Sequence, residues 1–246
     1  MFNISRPLKI FDDPLRTHVG PVDESCLANI KEGVTATINM DQFPFSLSGG
    51  DYLISALSQS PYCAVQEVSL HGCGLSDNEL SMLLAVLTIH KRLKVFRCSG
   101  ERDDIRGQIR HFPWEVFERE ADYANGPRRV AGGQTSQGFA YLQKLDMSYN
   151  SIGGNLYTFI SSILPGLKVL NFDDNCLTGH IPPDIGNMTN LQYIILARNE
   201  LTGPIPASIG NLAHLKDFQV WQNKLTGRQA TAALGENCHY SLTHPH

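Results

Sequence analysis

The triplet Leu-Thr-Gly occurs at Leu177, Leu201 and Leu225, each copy starting 24 residues after the last. A fixed period of roughly 20–50 residues constrains a chain more than its composition does, because it demands units that stack on copies of themselves. Aligned on apolar positions, the region resolves into four sets. The first is Leu142, Leu145, Met147, Asn150 and Ile152; the second is Leu167, Leu170, Phe172, Asn175 and Leu177. The third is Leu191, Ile194, Leu196, Asn199 and Leu201; the fourth is Leu215, Phe218, Val220, Asn223 and Leu225. Their first residues are separated by 25, 24 and 24, and the shared pattern is L-x-x-L-x-L-x-x-N-x-L.

The spacing has a mechanical reading. The alternation Leu170-x-Phe172 or Ile194-x-Leu196 predicts a short strand with every second side chain in the core. The chain must then turn, leaving backbone groups buried between neighbouring coils. A column of Asn150, Asn175, Asn199 and Asn223 supplies donors and acceptors for them. No coil buries its apolar edge alone; its neighbours do so.

The back halves of the units, "LTGHIPPDIGNMTN" and "LTGPIPASIGNLAH", match L-T-G-x-I-P-x-x-I-G-N-L. Together with the front pattern, they resemble the plant-type subclass of the leucine-rich repeat family over residues 141–227. Upstream, Val65, Val68, Leu70, Cys73 and Leu75 fill the same five slots, with Cys in place of Asn. Ser76 and Glu79 there form a capping box, and Leu80, Leu83, Leu84 and Leu87 share one helical face. A strand followed by a true helix, with Leu93, Phe96 and Cys98 arriving 28 residues on, is similar to the ribonuclease-inhibitor-like subclass. A fainter copy runs Thr35, Ile38, Met40, Phe43, Phe45, with a helix expected over Asp51–Ser58.

The resemblance implies an α/β leucine-rich repeat solenoid of six or seven coils. Such a solenoid is a curved right-handed coil with parallel strands on the concave face and helices or 3-10 turns on the convex face. The expected divisions are an irregular cap over 1–33, ribonuclease-inhibitor-like repeats over 34–98, an irregular insertion or degenerate repeat over 99–140, plant-type repeats over 141–227 and a tail over 228–246. Within the insertion, "RGQIRHFPWEVF" echoes the T-G-x-I-P-x-x-I half, and Arg119–Gly138 is turn-rich, as a surface loop would be.

The totals narrow the partners. A net charge of −4 over 246 residues offers no long-range attraction to nucleic acid or anionic membrane. No apolar run reaches the roughly 18 residues of a bilayer crossing, and no signal-peptide core opens the chain. Read as complete, the chain is cytoplasmic; read as a receptor fragment, it is extracellular. Six scattered cysteines fit reduced thiols rather than a disulfide framework.

Three columns of side chains flank the inward leucines on the concave face: Asp146, Asn171, Ile195, Gln219; Ser148, Asp173, Ala197, Trp221; and Tyr149, Asp174, Arg198, Gln222. The candidate partner-binding residues are Tyr149, Asp173, Asp174, Ile195, Arg198, Gln219 and Trp221, with Ile195 and Trp221 expected to be exposed apolar anchors. Substituting Trp221 or Arg198 is expected to weaken binding with stability nearly unchanged. Adjacent strand residues point to opposite faces, so Asp173 and Asp174 are expected to diverge, and no motif places a His or nucleophile beside them. No catalytic residue, metal or cofactor is expected. The Cys238, His239, His244 and His246 group matches no zinc spacing. Two sequons, Asn3-Ile4-Ser5 and Asn187-Met188-Thr189, would be silent in a cytoplasmic chain.

The family's usual role makes the expected function non-catalytic recognition of a protein or peptide through the concave face. A receptor ectodomain fragment binding a peptide or small ligand, and a regulatory solenoid of a larger enzyme, are the alternatives.

Overall fold

The computed structural model describes residues 20–33, 35–60, 64–88, 92–101, 108–118, 139–158, 160–226 and 239–241. Its spine is an eight-stranded sheet built from β1 (Thr37–Asn39), β2 (Glu67–Ser69), β3 (Val95–Arg97), β4 (Lys144–Asp146), β6 (Val169–Asn171), β8 (Tyr193–Ile195), β10 (Asp217–Gln219) and β12 (His239–Ser241). All neighbours are parallel, in that order. The register aligns the second apolar position of every repeat: Ile38, Val68, Phe96, Leu145, Leu170, Ile194 and Phe218 lie side by side. Each is at most 1% exposed, so the strand centres form one continuous apolar file.

Parallel strands need a crossover, and here each crossover is one coil of the solenoid. In the front half the return is helical: α1 (Glu24–Lys31) packs on α2 (Gly50–Gln59), and α2 on α3 (Asp77–Leu87). Ser76 Oγ accepts from Glu79 N while Glu79 Oε2 accepts from Ser76 N, which is the capping box read from the sequence. Leu80, Leu83, Leu84 and Leu87 are the buried face of α3. The segment expected as an irregular cap thus contains a helix, started by Asp23, whose carboxylate accepts from Cys26 N.

In the back half the returns tighten to α5 (Ile160–Ile163) and the 3-10 turns Pro183–Asn187 and Ala207–Asn211. Pro182 and Pro206 precede these turns with φ of −67° and −66°. Ile181, Ile185, Ile205 and Ile209 bury beneath them. Two small parallel pairs, β5 (Gly153–Asn155) with β7 (Cys176–Thr178) and β9 (Thr202–Pro204) with β11 (Lys224–Thr226), run alongside the main sheet. Gly179 and Gly203 have φ of +71° and +73°, a region that L side chains rarely adopt, which is why these two Leu-Thr-Gly triplets end in glycine.

The asparagines join successive coils. Asn175 Nδ2 donates to Met147 O at 2.9 Å, and its Oδ1 accepts from Ile152 N at 3.0 Å. Asn199 repeats this with Phe172 O and Leu177 N, and Asn223 with Leu196 O and Leu201 N. Asn150 donates to Cys98 O. Each amide closes the bend of the coil before its own. In the front half Cys73 stands in this slot, and its thiol donates to Met40 O at 2.9 Å. Cys26, Cys73 and Cys98 are buried free thiols. Burial pushes the Cys73 thiol up to about 12.

Among the described residues, the excess between Cys98 and Leu142 adds no further strand to the main sheet. β3 pairs directly with β4, Val95 opposite Lys144. Ser151 N donates to Ile109 O just as Cys176 N donates to Ile152 O, so Ile109 occupies the slot of Ile152. The echo with the T-G-x-I-P half had set Ile109 four positions later, against Ile181. Phe112 and α4 (Trp114–Glu118) follow. Phe112 is buried and meets Phe172 edge-on with centroids 5.4 Å apart; Trp114 stacks near Tyr157 at 5.9 Å. The surface loop expected over Arg119–Gly138 lies outside the described residues, as do Cys238, His244 and His246. The tail nevertheless contributes β12, paired to β10, which the repeat pattern did not foreshadow.

Candidate functional site

Three residues past the ends of β4, β6, β8 and β10 the backbone bends through a left-handed residue. Tyr149, Asp174, Arg198 and Gln222, the residues immediately before the ladder asparagines, have φ of +56°, +54°, +53° and +51°. Non-glycine residues rarely adopt this conformation, which costs about 1–2 kcal/mol each. In the front coils Gln42 and Gly72 hold the equivalent place, with φ +69° and +67°. The bend ends the strict alternation of the strand.

That bend corrects the expected divergence of the aspartates. Arg198 Nε donates to Asp174 Oδ2 at 2.8 Å, and Arg198 Nη2 donates to Asp173 Oδ2. Two neighbouring carboxylates therefore converge on one guanidinium from the next coil. Arg198 Nη2 also donates to Tyr149 Oη at 2.9 Å, two coils away. The guanidinium carbon lies 5.3 Å from the Tyr149 ring centroid and 4.9 Å from that of Trp221. Four consecutive coils thus meet at Arg198, whose planar fork satisfies paired carboxylates and stacks on aromatic faces at once.

The cluster is half-sunk. The side chains of Arg198, Asp173 and Asp174 are 19%, 13% and 21% exposed. Burial pushes the Asp173 carboxyl up to about 6; Arg198 opposes this, while Asp174 and Asp146 add to it. Asp173 Oδ1 is buried without a hydrogen-bond partner among the described residues.

Two expected anchors are not exposed. Ile195 is 2% and Trp221 6% exposed. Ile195 is paired between Asn171 and Gln219, and strands only about 4.8 Å apart leave a side chain little open flank. Trp221 is held against Arg198. Trp221 therefore packs as part of the cluster, and Ile195 lies buried in the sheet. Gln219 is half-buried, its Nε2 donating to Asp217 Oδ2 at 2.7 Å.

A second polar centre, not singled out from sequence, adjoins the first. Asp146 Oδ1 accepts from Ser148 N, Ser148 Oγ and Asn171 Nδ2, while its Oδ2 faces Arg97 Nε at 3.5 Å. Burial raises the Asp146 carboxyl above its ordinary range, and Arg97 pulls against that shift. Asn171 Oδ1 then accepts from Asp173 N, which joins the two centres. The available signal was positional: Arg97, Asp146 and Asn171 occupy the same strand slot in adjacent coils. Among the described residues no group of three His, Cys, Asp or Glu side chains is arranged to hold a metal ion, and no helix is long and apolar enough to cross a membrane.

Chemically, the face offers polar donors, aromatic edges and a fixed cation; it does not present an acid–base pair, since Arg198 engages both carboxylates.

Comparison with known proteins agrees with this architecture. The Leucine Rich Repeat family matches residues 141–163, 166–188 and 190–212. The chain is 39% identical over 153 residues to Receptor-like protein 32 of Arabidopsis thaliana, covering 59% of this chain and 17% of that protein. It is 43% identical over 56 residues to Receptor kinase-like protein Xa21 of Oryza sativa subsp. japonica, covering 23% of this chain and 5% of that one. The chain therefore spans only a small part of the curated relatives it matches. The crystal structure of a TDR receptor shares the fold over 88% of this chain and 36% of its own, with a TM-score of 0.56 at 18% identity. With the matched repeats, the asparagine ladder and the eight-stranded parallel sheet all in register, the chain is an α/β leucine-rich repeat solenoid whose residues 141–212 carry repeats of the plant type.

Proposed function

We propose that the chain recognises a peptide or protein ligand on the concave sheet, as part of the extracellular region of a plant receptor-like protein. The observation that carries this reading is the 39% identity over 153 residues with Receptor-like protein 32. It favours a receptor fragment over a free-standing cytoplasmic scaffold. The physics of the face agrees. A sheet cross-linked by the ladder loses little freedom on docking, and the Arg198 cluster is ordered before any ligand arrives. Tyr149, Asp174, Arg198 and Gln219 would contact the ligand, with Asp173 setting the local charge. The role is binding without catalysis.

The test is capture of extracellular plant peptides on the intact chain, compared with Asp174→Asn and Gln219→Ala on the sheet face and Asn211→Gln on the opposite side. The reading expects roughly tenfold weaker retention in the two sheet variants, the size of one interface hot spot, and none lost in the third. Equal retention by all four proteins, or no retained peptide, overturns it.

A further inference from the structure

The sequon Asn187-Met188-Thr189 closes the 3-10 turn Pro183–Asn187, which packs between α5 and the Ala207–Asn211 turn. Met188 is an anchor, 1% exposed, whereas Asn187 and Thr189 on either side of it are exposed. The two residues a glycosyl-transferring enzyme must read are therefore both presented outward from one fixed bend. Thr189 N donates to Asn187 O at 3.0 Å, which holds that bend.

We infer that Asn187 carries an N-linked oligosaccharide; this rests on the extracellular reading above. In the transfer, Asn187 Nδ2 bonds to the anomeric carbon of a lipid-pyrophosphate-linked oligosaccharide. The carbon–oxygen bond to pyrophosphate breaks, the lipid pyrophosphate leaves, and one amide proton is released. A carboxamide nitrogen starts with two hydrogens, so one remains after the transfer. The fold has a use for it: Asn187 Nδ2 donates to Asp184 Oδ1 at 2.9 Å, and Asp184 Oδ2 accepts from Ser161 N at 2.8 Å in the preceding coil. The modified amide keeps the Asp184 bond, and the sugar is aimed off the back of the coil. Glycan and ligand then occupy opposite sides of the solenoid. The next coil shows the contrast. Asn211 is the equivalent asparagine and is exposed, but Ala213 stands where the hydroxyl residue is needed.

The experiment is expression of the full chain behind a secretion leader in plant cells, with peptide mapping of the secreted protein before and after endoglycosidase treatment. The expected result is glycan on Asn187, lost in both Asn187→Gln and Thr189→Ala, and a second glycan on Asn211 in Ala213→Thr. Secreted protein with Asn187 unmodified overturns the inference, whether or not Asn211 is modified in Ala213→Thr. That outcome would leave the peptide-binding reading intact. Conversely, a glycosylated protein that retains no peptide would sink only the binding reading.

Discussion

Arg198 holds its guanidinium carbon 4.9 Å from the Trp221 ring centroid while its Nε donates to Asp174. Trp221 is thus one wall of an ion cluster and not a free anchor. Trp221→Ala is expected to cost about 3 kcal/mol in urea unfolding, the range for removing a buried aromatic. An unchanged midpoint would mean that the ring contributes no packing there. The sequence-based expectation of a stability-neutral substitution is corrected by the burial of this residue.

Arg198 separates two carboxylates that would otherwise face each other. Arg198→Gln keeps length and hydrogen bonding but removes the charge. At pH 7 it is expected to lower stability by about 2–4 kcal/mol, as when one partner of a buried pair is lost. The deficit is expected to shrink towards pH 5, because a proton on Asp173 relieves the repulsion. A pH-independent deficit would assign the effect to packing alone.

Asp173 titrates near 6 in the fold, against about 4 in an unfolded chain. The folded state binds the proton more tightly, so the contribution to stability is full below about pH 4 and is lost as pH rises through about 6. Asp146 shifts in the same direction and adds to the trend. The wild-type chain is expected to lose up to about 3 kcal/mol between these limits through Asp173, and Asp173→Asn is expected to flatten that part of the slope. Thermal melts across pH 4–7, taken as the difference between the two proteins, measure it; parallel curves would refute the assignment.

The ladder asparagines are not interchangeable with the cysteine that replaces them upstream. Asn175→Ala strands Ile152 N and leaves Met147 O with Asn150 Nδ2 as its remaining side-chain donor, and is expected to cost about 2–3 kcal/mol, whereas Cys73→Ala removes one thiol donor and is expected to cost about 1 kcal/mol. Chemical denaturation of the two variants checks the order, and a larger loss in Cys73→Ala would contradict it.

The repeat pattern carried much of the architecture in plain view. The inward file from Ile38 to Phe218, the α3 capping box and the asparagine column all follow from residue type and spacing. Each depends only on which residue recurs at which interval, and nearest-neighbour stacking then forces the register. Other features depend on what lies beside a side chain in adjacent coils, a lateral relation that linear spacing does not encode. The convergence of Asp173 and Asp174 on Arg198 arises from left-handed bends that end the strand alternation. The burial of Ile195 and Trp221 is set by lateral neighbours about one repeat away. Ile109 takes a coil slot that its local motif did not indicate, because the hydrogen bond from Ser151 chooses the partner. Sequence alone determined that these coils stack and which residues form their interior. Only the tertiary structure decided how the outward groups pack, since that is settled by contacts across the stack.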